Sequence, residues 1–97
     1  MRSDLFEARS AVLAARVDLY NVNFGNASRN LETAKGVLGR VSERLKNTGR
    51  EEDAKRLEPA LAELNEAQSL AGRFDQSANA RAGTVAQTID EVLGLTR

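Results

Sequence analysis

The sequence contains no cysteine and no histidine, and these two absences restrict its chemistry more than any other feature. Without cysteine there is no disulfide, no thiolate nucleophile and no cysteine-based metal site. Without histidine the chain lacks the commonest metal ligand and the side chain whose ordinary pKa suits proton transfer near neutral pH. We therefore predict that the protein is not an enzyme and that it binds neither a metal ion nor a cofactor.

Aromatic residues, net charge and long apolar runs are scarce as well. Three Phe and one Tyr, with no Trp, provide no stacking platform for single-stranded nucleic acid. The 14 Lys and Arg are balanced by 14 Asp and Glu, so no net field attracts nucleic acid or an anionic membrane. No apolar run approaches the roughly 18 residues that a membrane span needs. The sequence thus predicts no nucleic-acid partner, and membrane contact only through a flanking segment.

The length of 97 residues suits one domain with a single modest core. The segment Met1 to Ser10 lacks the apolar centre of a signal peptide. Because a flanking segment could carry a signal or a membrane span, a cytoplasmic and a cell-envelope location both stay open. Helical periodicity begins at Leu5 and Phe6, with no clear capping residue before it. We interpret residues 1–97 as a single helical domain of a longer, bacterial-type protein.

Apolar residues recur at spacings of three and four in four segments, which predicts four helices. We expect them at about 3–22, 24–47, 49–72 and 76–95. Their seams, in which bulky aliphatic residues alternate with alanine, are Leu5, Ala8, Val12, Ala15, Leu19 and Val22; Phe24, Ala27, Leu31, Ala34, Leu38, Val41 and Leu45; Ala54, Leu57, Leu61 and Leu64, with Ala60 and Ala67; and Ala78, Ala82, Val85, Ile89 and Val92. Short turns make successive helices antiparallel, so the predicted fold is an all-α antiparallel four-helix bundle or a stack of helical hairpins.

Three large residues accompany the first seam at intervals of seven: Phe6, Leu13 and Tyr20. We expect them to widen the seam into a stripe that faces the core.

Local signals predict how the helices begin and end. Thr48 and Glu51 have the spacing of a capping box that opens the third helix. Pro59 falls inside that helix and predicts a kink, with a restart of the helix as the alternative. Asp75 or Ser77 is the candidate cap of the fourth helix.

An internal repeat appears when the sequence is shifted by 33 residues, which aligns Ala27 with Ala60 and Leu31 with Leu64. Phe24, Ala27, Leu31 and Ala34, echoed at residues 57–67, resemble the second helix of the tetratricopeptide repeat, in which large residues alternate with alanine. The resemblance implies a scaffold that binds peptides or proteins. Regular alternation of leucine and alanine in any alanine-rich bundle is the other explanation of the pattern.

The turn after the first helix is the first candidate interaction site. Tyr20, Asn21, Asn23 and Asn26 concentrate there, in a segment rich in residues that tolerate positive φ. Turn chemistry accounts for most of them, but a Tyr and Asn cluster on a rigid turn also suits recognition of a partner.

Two further candidate surfaces lie on the helices themselves. Gly36 and Gly39 are expected on the outer face of the second helix, where they leave a shallow notch for another helix. Arg2, Arg9 and Arg16 recur every seven residues along the first helix, as in a solvated face with intrahelical pairs or a face that contacts a second chain.

These observations together favour a non-enzymatic helical module for protein–protein interaction or scaffolding. Its expected partner is another protein chain, or a second copy of itself. The alternative is a sensory bundle that binds a small molecule in an apolar pocket between helices. Ala8, Ala15, Ala27 and Ala34 would provide the space for such a pocket.

Overall fold

A computed structural model describes residues 2–94, and within them the chain forms four α-helices and no strand. They are α1 (Arg2–Tyr20), α2 (Phe24–Asn47), α3 (Glu51–Gly72) and α4 (Ala78–Leu93). The all-α prediction is therefore confirmed, and the bounds of α2 agree with the prediction at both ends. The predicted residue 95 of the fourth helix lies outside the described residues.

The helices form a ring in which α1 packs against α2 and α4, and α3 packs against the same two helices. Turns of three to five residues join successive helices, so neighbours run antiparallel and the architecture is a four-helix bundle. The bundle measures 40 × 23 × 18 Å. None of the described helices is both long and apolar enough to cross a membrane.

The predicted seams supply most of the buried core. All seven predicted positions of α2 are buried. The same holds for Leu5, Ala8, Val12, Ala15 and Leu19 of α1, and for Ala78, Ala82, Val85 and Ile89 of α4. Val22 is 60% exposed, so the prediction that it belongs to the core seam is wrong. Leu61 and Val92 are only partly buried and pack against the edge of the core. Alanine alternates with Leu and Val on every helix, and these small side chains let the helix axes approach closely.

Helix α3 runs without interruption from Glu51 to Gly72 with Pro59 inside it. The alternative of a restart at Pro59 is therefore wrong. The capping-box prediction is wrong too, because Arg50 precedes α3 and makes no side-chain cap. Thr48 instead closes α2, where its hydroxyl donates to the carbonyl oxygens of Arg44 and Leu45.

Candidate functional site

The turn between α1 and α2 places a bulky residue where a helix end usually has glycine. The N–H of Val22 donates to Leu19 O at 3.1 Å, and the N–H of Asn23 donates to Asp18 O at 2.7 Å. These two bonds form a Schellman motif, in which N–H groups beyond the helix end bond with its last carbonyl oxygens. The motif requires one residue in the left-handed conformation. That residue is Val22, with φ 61°, whereas Gly25 lies within the first turn of α2. The left-handed position of this turn is therefore taken by none of the Asn and Gly residues that tolerate positive φ.

The turn between α3 and α4 repeats this arrangement with Phe74. The N–H of Phe74 donates to Ala71 O, the N–H of Asp75 donates to Leu70 O, and φ of Phe74 is 59°. A positive φ is a genuine outlier for a β-branched or bulky residue and is unfavourable by about 1–2 kcal/mol. The turn between α2 and α3 has the same bonds with Gly49, φ 78°, at the left-handed position.

Both strained turns lie at the same end of the bundle and touch each other. The rings of Phe24 and Phe74 meet edge to face, with centroids 5.6 Å apart. The side-chain amide of Gln76 donates to Leu19 O at 3.3 Å. Val22 is nevertheless 60% exposed and Phe74 75% exposed. This end of the bundle thus presents two large apolar side chains to solvent.

An apolar strip on the outer face of α1 extends this surface. It consists of four side chains that are 37–81% exposed: Phe6, Leu13, Val17 and Tyr20. The expectation that Phe6, Leu13 and Tyr20 face the core is therefore wrong. The core side of α1 is complete with Leu5, Ala8, Val12, Ala15 and Leu19. The strip lies beyond the arginine row of α1 and borders α4, because Leu13, Val17 and Tyr20 line a groove together with Arg16 and Asn79.

The three arginines of α1 reach across to α4. Arg9 Nε donates to Asp90 Oδ1 at 2.6 Å, and Arg16 Nε donates to Asn79 Oδ1 at 2.7 Å. Arg2 Nη1 approaches Leu93 O at 3.4 Å, while its guanidinium lies 5.4 Å from the centre of the Phe6 ring. The row therefore joins two helices of the same chain.

Two acidic residues of α1, Asp4 and Asp18, also pair between helices, so intrahelical pairing, one of the two explanations of this face, is not what they show. Asp4 accepts a bond from Arg44 Nη1 on α2 at 3.2 Å. Asp18 accepts one from the side-chain amide of Asn30, also on α2, at 2.7 Å. Two helices thus bond with the flanks of α1, and the apolar strip between those flanks stays open.

The asparagines of the first turn have local roles or face solvent. Asn21 and Asn23 are exposed, and Asn23 precedes α2 without a side-chain cap. The side-chain oxygen of Asn26 accepts a bond from Arg29 within α2. Only Tyr20 of the predicted turn cluster lies in the same groove as the apolar strip.

Gly36 and Gly39 line a groove on the outer face of α2, as the spacing predicts. Apart from the adjacent residues and the backbone of α2 itself, no atom lies within 4 Å of a Cβ built at Gly39, and only Arg40 Nη1, at 3.9 Å, lies near one at Gly36. The remaining lining consists of polar and charged side chains: Glu32, Lys35, Arg40, Glu43, Arg44 and Asn47. This groove is open, but it offers a partner no large apolar side chain.

Two carboxylates outside the apolar strip have lowered pKa values. The pKa of Glu32 is lowered because its carboxylate accepts a bond from Gln68 and lies beside Lys35. The pKa of Asp75 is lowered because its carboxylate accepts bonds from the backbone N–H and the hydroxyl of Ser77, at 2.9 and 2.7 Å. Asp75 therefore bonds with Ser77, which precedes α4, and not with an N–H of the helix itself. Ser77, the residue directly before α4, makes no side-chain cap.

The described residues hold no buried polar cluster suited to chemistry. Ser42 is the one polar side chain within their buried core. No group of three or more acidic residues between positions 2 and 94 is arranged to hold a metal ion. Ala8, Ala15, Ala27 and Ala34 have no accessible surface, so no space large enough for a water molecule borders them. The packing therefore gives no support to a ligand pocket at these alanines.

Val17 and Phe74 are the site residues that the sequence reasoning missed. The signal for Val17 was its spacing of four from Leu13 and three from Tyr20, off the core seam. The signal for Phe74 was a large apolar residue between Gly72 and Asp75, in a segment that already reads as a turn. Comparison with protein-family models, with curated proteins and with solved structures finds no match to the chain.

Proposed function

We propose that the chain is a non-enzymatic helical module that binds another protein chain through the apolar strip of α1. The observation that carries the proposal is the exposure of Phe6, Leu13, Val17 and Tyr20 on one face of a single helix. Scattered single apolar residues are normal on protein surfaces, whereas a contiguous apolar patch marks an interaction site. Tyr and Phe are also enriched at protein interfaces.

The strained end of the bundle supports the same proposal. Val22 and Phe74 hold unfavourable backbone conformations although Gly49 shows that glycine fits the equivalent position. Strained residues persist where the surrounding structure holds them in place, and they cluster at functional sites. Val22 follows Tyr20 by two residues, so the exposed end of the bundle extends the apolar strip.

The scarcity of polar side chains in the described core supports a non-enzymatic role. Catalytic groups acquire shifted pKa values through burial and neighbouring charges in a cleft. Two acidic side chains of α3 make salt bridges, with Asp53 bound to Arg50 at 2.6 Å and Glu63 to Arg81 at 3.0 Å. Both pairs are partly exposed on the surface of the bundle.

A site-specific photo-crosslinker tests the proposal. We would place it at Val17, in the strip, and as a matched control at Ala62, an exposed residue of α3. In a native extract, or with the purified chain alone, we expect a discrete covalent adduct from position 17. Addition of Leu13→Glu should reduce the yield of that adduct at least tenfold, because a desolvated carboxylate has no partner in an apolar contact.

Position 62 should give only the diffuse background of a surface without a partner. Circular dichroism would verify that each labelled chain keeps its helical content. Equal adduct yields at positions 17 and 62 would contradict an interaction through α1.

A further inference from the structure

We infer that the partner of the apolar strip is an amphipathic helix of another protein that places a carboxylate against Arg16. This inference rests on the proposed function and names the chemistry of the partner. The site is the α1–α4 groove, which we define by its lining: Leu13, Arg16, Val17 and Tyr20 of α1, and Asn79 of α4.

Arg16 is the charged side chain of this groove, and no acidic residue of the described chain pairs with it. The side chain is exposed at the edge of the apolar strip. None of the salt bridges between residues 2 and 94 includes Arg16, whereas Arg9, seven residues earlier, pairs with Asp90 at 2.6 Å. The α1–α4 groove therefore combines apolar side chains with one uncompensated positive charge.

The guanidinium of Arg16 is held in a defined orientation by α4. Its Nε donates to Asn79 Oδ1 at 2.7 Å. Nη1, Cζ and Nη2 lie 3.0, 3.1 and 3.3 Å from the position that a Cβ would take at Gly83, so the guanidinium rests on α4 where a side chain is missing. The contact with Asn79 uses only Nε, which leaves the N–H groups of Nη1 and Nη2 for a second acceptor. Two such groups match the two oxygens of a carboxylate.

The apolar strip has dimensions that suit a partner helix. Phe6, Leu13 and Tyr20 are separated by intervals of seven residues, so the strip extends for about 21 Å along α1. About four turns of a partner helix cover this length, with apolar side chains at spacings of three and four. The groove between two packed helices accepts the ridge of a third, and amphipathic helices bind to apolar grooves in this way.

The charges on the two flanks of the strip favour a helix over an anionic lipid surface. Arg9 and Arg16 lie on the flank that borders α4. Asp4 and Asp18 lie on the other flank, where both bond with α2, and Glu7 shares that flank because it precedes Asp18 by three helical turns. A helix that binds an anionic membrane carries Lys and Arg on its polar face, and carboxylates there are repelled. A helix in the α1–α4 groove meets the arginine flank alone.

Two synthetic peptides test the inference with the full chain. Each is an amphipathic helix of about 18 residues, or about five turns, with Leu at spacings of three and four and one Trp among them. The positions beside the Leu residues are Glu in one peptide and Lys in its twin. The chain has no Trp, so Trp fluorescence reports the peptide alone, and its 14 cationic and 14 anionic residues give neither twin a general advantage.

We expect the Glu peptide to bind at least about ten times more tightly than the Lys twin, because a hydrogen-bonded ion pair is the strong form of this contact. Arg16→Ala should weaken binding of the Glu peptide at least about fivefold. Arg16→Glu should reverse the preference between the twins. Arg40→Ala is the matched control, since it removes an exposed arginine from the outer groove of α2 and should leave the affinity unchanged. Circular dichroism would verify that every variant is folded.

Other occupants of the strip give different results. Equal affinities for the twins, equal effects of Arg16→Ala and Arg40→Ala, or no binding of either peptide at about 1 mM would overturn the acidic helix. Binding to vesicles of phosphatidylcholine and phosphatidylglycerol, without binding of the Glu peptide, would assign the strip to a lipid surface instead. A dimer of the chain that Leu13→Glu dissociates would assign it to a second copy.

Failure of this inference is distinguishable from failure of the proposed function. A discrete adduct from the crosslinker at Val17, without a preference for the Glu peptide, would overturn the acidic partner and support an interaction through α1. Absence of both the adduct and peptide binding would contradict the two proposals together.

Discussion

The guanidinium group of Arg16 on α1 lies over the backbone of Gly83 on α4. A Cβ built at Gly83 would stand 3.0 Å from Nη1 and 3.1 Å from Cζ of Arg16. The same guanidinium side chain donates its Nε hydrogen to Asn79, one turn earlier on α4. Gly83 therefore shapes the place where the arginine row of α1 meets α4.

This contact predicts the effect of Gly83→Ala. Alanine in a helix interior is about 1 kcal/mol more favourable than glycine. The atoms it meets belong to the far end of a flexible, exposed side chain, which needs to move by only a few tenths of an ångström. We expect a gain of about 0.5 kcal/mol in the free energy of unfolding, measured by urea denaturation.

The control for this prediction is the Arg16→Ala background. Without the guanidinium, Gly83→Ala should raise the free energy of unfolding by the full amount of about 1 kcal/mol. A loss of stability on Gly83→Ala in that background would show that something other than Arg16 limits the space at position 83.

Glycine at Val22 should stabilise the fold. The left-handed conformation of Val22, φ 61°, is unfavourable for a β-branched residue and neutral for glycine. We expect Val22→Gly to raise the free energy of unfolding by about 1 kcal/mol, which raises the melting temperature by about 4–8 °C for a domain of this size.

The reciprocal variant is Gly49→Val, at the equivalent position of the turn between α2 and α3. It should lower the free energy of unfolding by at least about 1 kcal/mol for the same reason. Equal effects of the same sign at positions 22 and 49 would refute the strain assigned to Val22.

The Asp75 carboxylate should make stability depend on pH in the acid range. Its folded pKa lies below the ordinary value of 3.8 because it accepts two bonds from Ser77. As the pH falls, the unfolded state therefore takes up the proton first. The contribution of Asp75 to the free energy of unfolding is complete above the ordinary pKa and is lost as the pH falls through the folded pKa. Melting curves between about pH 5 and 2 should show this loss.

Asp75→Asn is the matched variant, because its side-chain oxygen still accepts a bond from Ser77 but cannot titrate. Its stability should fall less steeply with acid than that of the unmodified chain. Glu32→Gln should likewise remove part of the acid dependence, since the pKa of Glu32 is lowered by Gln68 and Lys35. If the stability of the unmodified chain and of Asp75→Asn depended on pH in the same way, the Asp75 carboxylate would not contribute to the acid dependence.

The alanines of the core should not tolerate larger side chains. Ala15 is fully buried between packed helices, so Ala15→Leu should lower the free energy of unfolding by about 1–3 kcal/mol. Ala62→Leu, at an exposed position of α3, should change it by less than about 0.5 kcal/mol. A neutral Ala15→Leu variant would instead indicate spare volume in the core, as a ligand pocket requires.

The sequence predicted the helices and their core seams because burial of an amphipathic face follows helical periodicity. It did not predict on which side of α1 the Phe6, Leu13 and Tyr20 row lies. Periodicity defines an apolar stripe but not which flank the neighbouring helix covers. Here α4 is joined to α1 through Arg9 and Arg16, which leaves the large residues outside.

The turns were harder to predict because local preference and actual geometry differ. Asn and Gly residues favour positive φ, yet Val22 and Phe74 adopt it. The helix ends depend on which backbone N–H reaches which carbonyl oxygen, and the spacing of apolar residues does not define this. The similarity of residues 24–34 to the tetratricopeptide repeat stays a prediction, since alternating Leu and Ala is also what the closed bundle buries.

Because α1 contacts α4, the contacts between successive helices close into a ring. Arg2 Nη1 lies 3.4 Å from Leu93 O, so the first helix begins at the corner where the last one ends. A short linker from Leu93 to Arg2 together with a cut at Thr48 would keep every pair of neighbouring helices. The order along the permuted chain would become α3, α4, α1, α2, with α2 and α3 as the pair that closes the ring.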